Sequence, residues 1–140
     1  MGDLEYVRQA VRLARKYGPE DIKLFINDYN LESFWDNNKK LRSLINWIKK
    51  WEADGVTKID GIGTQMHLSC SMSDNELNNR KKYITQMFKL MAQSGKLCRV
   101  SEVMTIVELS YTPSSFSWLM YLPRIFNRYS VSAISFMHGG

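Results

Sequence analysis

Three apolar runs, each closing on polar side chains and separated by helical patterns, constrain the fold of this chain more than any other feature. They are KLFINDYN (23 to 30), IDGIGTQMHL (59 to 68) and LCRVSE (97 to 102). They close on Asn27-Asp28-Tyr29-Asn30, on Gln65 and His67, and on Glu102. A strand, helix, strand, helix, strand order predicts a parallel sheet, because parallel neighbours need a long crossover and a helix supplies it. In α/β barrels the chemistry gathers at the C-terminal ends of the strands, which makes these polar residues a candidate active-site rim.

The intervening segments repeat apolar residues at the helical spacing i, i+3, i+4, i+7. Asp3 is placed to cap a first helix whose stripe is Leu4, Val7, Val11 and Ala14, and Gly18-Pro19 ends it. Leu41, Leu44, Ile45 and Ile48 form the second stripe, ended by Gly55; Ile84, Met87, Phe88 and Met91 form the third, ended by Gly95. Such stripes are core, since helices outside a sheet must cover it. No G-x-G-x-x-G follows any run, which disfavours a dinucleotide-binding sheet. Gly61 and Gly63 lie inside a strand, where they leave room for a close neighbour. A complete eight-stranded barrel takes about 250 residues, so 140 residues hold roughly half of one.

The net charge of +5 raises the question of an anionic partner. Its basic clusters, Lys39, Lys40, Arg42, Lys49 and Lys50, then Arg80, Lys81 and Lys82, fall on amphipathic helices, where a solvated outer face explains them without nucleic acid. Met1-Gly2-Asp3-Leu4-Glu5 has neither the basic start nor the apolar stretch of a secretory signal, and no run reaches a membrane span. The closest, Phe116 to Phe126, is broken by Pro123 and Arg124. Cys98 opens one strand and Cys70 follows the end of another, so opposite ends of a parallel sheet separate them and both thiols are expected free.

At Glu102 the composition changes. Residues 1 to 102 carry 17 Lys plus Arg and 13 Asp plus Glu, whereas 103 to 140 carry only Arg124, Arg128 and Glu108, with seven serines and no helical period. Residues 1–102 therefore read as a partial barrel and 103–140 as an atypical tail, either a divergent barrel end or a shifted reading frame.

A carboxylate beside His, Gln, Asn and Tyr on neighbouring strands suits hydrolysis of a neutral, hydroxyl-rich substrate. Amides and imidazole bind hydroxyls, Tyr offers a stacking face, and the carboxylate can attack an anomeric carbon. His67 and Glu102 alone make no metal ligand set, so neither metal nor cofactor is expected. A non-catalytic module is the other reading: one that binds carbohydrate on the strand ends, or an anionic polymer on the basic helices with steep salt dependence.

The runs KLFINDYN, IDGIGTQMHL and RVSE, in this order and at these separations, resemble the fifth, sixth and seventh strands of glycoside hydrolase family 10, the endo-β-1,4-xylanases. The segment LRSLINWIKKWEADGVTKIDGIGTQMHL is similar to the form found in xylan-degrading gut Bacteroidetes. The resemblance covers residues 1 to 102 and implies part of a TIM (β/α)8 barrel, strands five to seven with their helices, that acts on xylan or xylo-oligosaccharide. It makes Glu102 the nucleophile of a retaining mechanism, His67 the imidazole that orients it, and Gln65 a sugar-contacting amide. Asn27, Tyr29 and Asn30 then line the cleft on the leaving-group side, and Asp28 is a carboxylate near the acid/base. The full-length enzyme is expected to be secreted or periplasmic.

Three departures accompany the resemblance. The family's acid/base Glu, in an Asn-Glu pair ending the fourth strand, has no counterpart in this sequence. After the nucleophile the family reads Leu-Asp, and that Asp helps hold the His; here Val103 and Met104 stand. The family's eighth-strand Trp has no match in context, since Trp118 sits in none. These departures lead to the expectation of a frameshift or truncation and of a chain inactive alone, while the sequence leaves open whether a missing barrel half, self-association or nothing closes the sheet edges.

Overall fold

The computed structural model describes residues 3–69, 73–106, 124, 132–133 and 136–139. Cys70, Trp118 and the run 116–126, apart from Arg124, lie outside them. The element order is α1 (Asp3–Tyr17), β1 (Phe25–Tyr29), α2 (Lys39–Glu52), β2 (Gly61–Ser69), α3 (Asp74–Gln93), β3 (Leu97–Ile106), β4 (Ser132–Ala133) and β5 (Phe136–Gly139). All pairings are parallel; β2 lies between β1 and β3, and β4 and β5 both pair along the far side of β3.

Local chemistry sets the helix ends. Gly18 donates its N–H to the Ala14 carbonyl at 2.8 Å, and a Cβ there would meet that same oxygen at 2.5 Å. Ser73 and Glu76 form a reciprocal capping box at the start of α3, satisfying two of its otherwise orphaned N–H groups. Before α2 the buried Asn38 adopts φ 56° and donates from Nδ2 to the Leu31 carbonyl at 2.8 Å, pinning the β1–α2 connection. Gly55 and Gly95 take φ 72° and 74° after α2 and α3, where a Cβ is disfavoured.

The expected stripes are core. Leu41, Ile48, Ile84, Met87, Phe88 and Met91 are buried, against Ile62, Met66, Cys98 and Val100 from the sheet. At the N-terminal ends of the strands Asp60 accepts from the Leu24 N–H at 2.8 Å and from Arg15 at 2.6 Å. Burial pushes the Asp60 carboxyl up, but those donors outweigh it and hold it below its ordinary value. Lys96 reaches Glu52 at 2.6 Å and the Ile59 carbonyl at 2.7 Å, fastening α2 to the same end. The basic clusters lie on helix surfaces, with Lys39, Arg42, Lys49, Lys50 and Lys82 exposed. Among the described residues no helix is long and apolar enough to cross a membrane.

The ladder does not stop at Glu102. β3 continues through Val103, Met104, Thr105 and Ile106, residues that suit a pleated surface. Two short pieces of the compositionally distinct tail then pair in parallel with it: Arg99 with Ser132 and Val103 with Phe136.

Candidate active site

Each strand presents alternate residues to opposite sides of the sheet. Ile62, Thr64 and Met66 of β2 are buried under the helices, so Gly61, Gly63, Gln65 and His67 belong to the other, open face. The register sets Asn27 beside Gly63 and Tyr29 beside Gln65. The missing side chain at Gly63 is required: a Cβ there would lie 2.6 Å from the Asn27 Oδ1, which leans over it. At Gly61 a Cβ would enter the Phe25 ring, at 2.2 Å from one ring carbon.

A β-bulge turns Glu102 onto this face. Thr64 pairs with Val100, but the next residue, Gln65, pairs with Glu102, leaving Ser101 as the extra residue of β3. With unbroken register Gln65 would face Ser101 and Glu102 would align with the buried Met66, its carboxylate aimed at the helices. The bulge instead exposes Glu102, where the Gln65 amide donates to its Oε1 across a long 3.5 Å. Ser101 is held in turn: its hydroxyl lies 2.8 Å from the Asn27 Oδ1 and 3.2 Å from the Thr64 carbonyl. One hydroxyl thus ties all three strands together beside the carboxylate.

The sequence places Gln65, His67 and Glu102 at strand ends. They lie instead within β2 and β3, which run on to Ser69 and Ile106. His67 is exposed two residues beyond Gln65 on the same face, and its register partner is Met104. The resemblance implies an Asp at that position; here the residue opposite His67 has no carboxylate to anchor the imidazole. Among the described residues, Gln65 rather than His67 donates to Glu102.

Asp28 goes elsewhere. It shares its side of the sheet with Thr64 and forms an ion pair with Lys40 of α2 at 2.8 Å. The same ammonium donates to the Tyr29 carbonyl at 2.8 Å and sits 3.7 Å from the centre of the Tyr29 ring. Asn30 leaves β1 with φ 56° and lines a cavity together with His67. The structure therefore gathers Asn27, Gln65 and Glu102 with His67, and gives Asp28 to the helix side.

Two residues of this region escape the sequence reading. Ser101 carries no signal that a bulge falls on it. Arg99, whose guanidinium stands 5.5 Å from the centre of the Phe25 ring, is on the open face by its pairing with Gly63.

Parallel strands backed by helices on one face, with a carboxylate, two amides and an imidazole on the other, define a segment of a (β/α) barrel hydrolase. The family model for glycosyl hydrolase family 10 matches residues 1–115, and the chain belongs to that family. It is 36% identical over 86 residues to endo-1,4-beta-xylanase A of Thermoanaerobacterium saccharolyticum, covering 61% of this chain and 7% of that protein. It is 46% identical over 65 residues to endo-1,4-beta-xylanase 3 of Hypocrea jecorina, covering 46% of this chain and 18% of that one. Among solved structures it is similar to the intracellular xylanase of Thermoanaerobacterium saccharolyticum, a mutant of which was determined with xylotetraose. The TM-score is 0.70 at 25% identity, with 96% of this chain and 40% of that chain covered. A Thermobacillus composti xylanase shares the fold at TM-score 0.74 and 20% identity, over 97% of this chain and 46% of that one. The chain thus spans less than half the length of these relatives.

Proposed function

We propose that this chain is the C-terminal part of the catalytic barrel of a retaining endo-1,4-β-xylanase, with Glu102 as its nucleophile. A Glu102 oxygen attacks the anomeric carbon while an acid/base carboxyl protonates the departing sugar oxygen. Water then breaks the resulting glycosyl ester with the same carboxyl acting as base, and net configuration is kept. Gln65 orients the nucleophile by donating to it, and Asn27 and Tyr29 face the sugar on the leaving-group side. The observation that carries this reading is the bulge at Ser101, which turns Glu102 away from the core and sets it against Gln65.

A retaining pair needs carboxyls about 5 to 5.5 Å apart. Among the described residues no second carboxylate shares the open face with Glu102, since Asp28 is paired with Lys40 and Glu32 is buried beneath the β1–α2 connection. In this reading the acid/base comes from a part of the barrel other than the described residues, which by themselves hydrolyse no xylan.

The test joins this chain to an upstream family 10 half ending in Asn-Glu, with a family-like continuation after Glu102, and follows the anomeric configuration of the product by NMR. Retention is expected, with turnover falling by about three orders of magnitude or more in Glu102→Gln while sugar binding survives. His67→Ala should cost less. Near-normal turnover by Glu102→Gln, or cleavage by the original chain, would assign the chemistry to another carboxylate.

A further inference from the structure

β2 runs further than β1. The last pair between them is Tyr29 with Gln65, so His67, two residues on, has β3 on one side and the connection that leaves β1 on the other. On the β3 side its register partner is Met104, which carries no carboxylate. On the other side His67 shares the wall of a cavity with Glu32 of the connection and Arg80 of α3.

Glu32 is 8% exposed, and its Oε2 is buried without a hydrogen-bond partner among the described residues. Arg80 and Lys40 act on the carboxyl through their charge, but neither bonds that oxygen. A buried carboxylate oxygen left unbonded is costly, so a donor on the cavity wall gains by turning to it. Asp36 of the same connection also has a buried oxygen without a partner, but it is not on the described wall of the cavity. His67 is on that wall and is exposed, with a ring that can turn toward the carboxyl.

We infer that Glu32 is the positioning residue of His67: its Oε2 accepts the N–H of one imidazole nitrogen across the cavity and turns the other nitrogen toward Glu102 and the open face.

A neutral imidazole has one N–H and one bare nitrogen, and the bond made at one nitrogen fixes what the other can do. An ionised carboxylate accepts and cannot donate, so it keeps the N–H on its own side. The nitrogen on the open face is then an acceptor, suited to a sugar hydroxyl, with no proton to offer Glu102. This division agrees with the observed bond, in which Gln65 is the donor to Glu102. The orientation of the ring depends on Glu32 alone, whereas its use toward sugar rests on the reading that Glu102 is the nucleophile of a xylan site.

Proton–nitrogen correlation NMR of the 140-residue chain at about pH 8, above the Glu32 value of about 7, reads which ring nitrogen of His67 is protonated. One tautomer is expected. Glu32→Gln keeps the shape of the buried side chain, but an amide both donates and accepts and so serves either tautomer; the two ring nitrogens should then average. Adding Met104→Asp, which sets a carboxylate opposite His67 on β3, should restore a single tautomer. His138, the other histidine of the chain, is the internal reference. A tautomer mixture in the unsubstituted chain, or ring nitrogens unmoved by Glu32→Gln, overturns the inference. So does averaging that Met104→Asp fails to reverse, because the fold of the connection and not a carboxylate would then hold the ring. In the completed barrel Glu32→Gln should lower kcat/KM about tenfold, the worth of one hydrogen bond, and Met104→Asp should return it to within about threefold. An unchanged kcat/KM would overturn the positioning role. If Glu102→Gln leaves turnover near normal, the xylan reading falls while the tautomer result stands, which tells the two failures apart.

Discussion

The two faces of one sheet, built by alternate residues of the same strands, differ in what a residue must do. On the helix side Ile62, Met66 and Val100 are fully buried, and Phe88 and Met91 of α3, in the same core, are too. There volume and apolarity decide. On the open side Asn27, Gln65, His67 and Glu102 keep their polar ends accessible or lightly bonded, and two glycines hold space for neighbouring side chains. There geometry decides, and burial contributes little. The difference teaches that stability and chemistry occupy adjacent residues without competing, provided the register keeps them apart. A single residue, Ser101, secures that register for Glu102, the proposed nucleophile.

Giving that residue a partner breaks the comparison outright. A glycine inserted between Thr64 and Gln65 stands opposite Ser101, restores simple alternation in both strands and sends Gln65 and Glu102 toward the helices. In the completed barrel, hydrolysis should fall to background, at least a thousandfold, whereas Ser101→Ala keeps the bulge and should stay within about tenfold. Equal activity in the two variants would show that the bulge does not position the carboxylate.

Truncation on each face probes the second level. Phe88→Ala empties a fully buried site and should cost about 3 to 5 kcal/mol in urea unfolding. Gln65→Ala on the open face loses one long hydrogen bond and should cost about 1 kcal/mol or less. Comparable losses at both positions would show the open face to be packed rather than presented.

The helix side was legible from sequence, and the reason is periodicity. Leu41, Ile48, Ile84 and Phe88 fall on stripes fixed by 3.6 residues per turn, which local sequence carries in full. The parallel order of β1, β2 and β3 followed from helices lying between the strands, and Gly61 and Gly63 from the absence of any other reason for glycine there. The placement of Glu102 was not legible. Val100 and Glu102 are two apart, so ideal alternation puts the carboxylate in the core with the valine, and only the bulge reverses this. Asp28 looked like a rim residue because it stands between Asn27 and Tyr29, but neighbours in a strand point to opposite sides. The extension of β3 and its pairing with Ser132 and Phe136 are long-range backbone contacts that no local pattern encodes. Glu32 gave no signal either, because a carboxyl's burial is set by α3 and the β1–α2 connection, not by its neighbours Leu31 and Ser33.

The two glutamates sharpen the comparison through pH. Glu102 is exposed, while Glu32 is raised from an ordinary 4.5 to about 7, because burial disfavours its charge more than its backbone N–H, Arg80 and Lys40 favour it. A raised carboxyl binds its proton more tightly in the folded state than in the unfolded one. Below pH 4.5 both states hold the proton and the contribution to stability is complete. Between 4.5 and 7 the unfolded chain ionises first, so stability falls as pH rises, and above 7 the loss is constant. A shift of this size corresponds to at most about 3 kcal/mol. Asp54, held near 2 by the donors of Thr57 and Val56, acts in the opposite sense but only below this range, and a difference between variants removes its contribution in any case. Glu32→Gln removes the titration and keeps the shape. Unfolding of the two chains in urea at pH 4.5, 6 and 8 should give a variant whose advantage over the unsubstituted chain grows by about 2 to 3 kcal/mol across that interval. Parallel curves for Glu32→Gln would mean that its carboxyl is solvated and that the closed side does not penalise its charge.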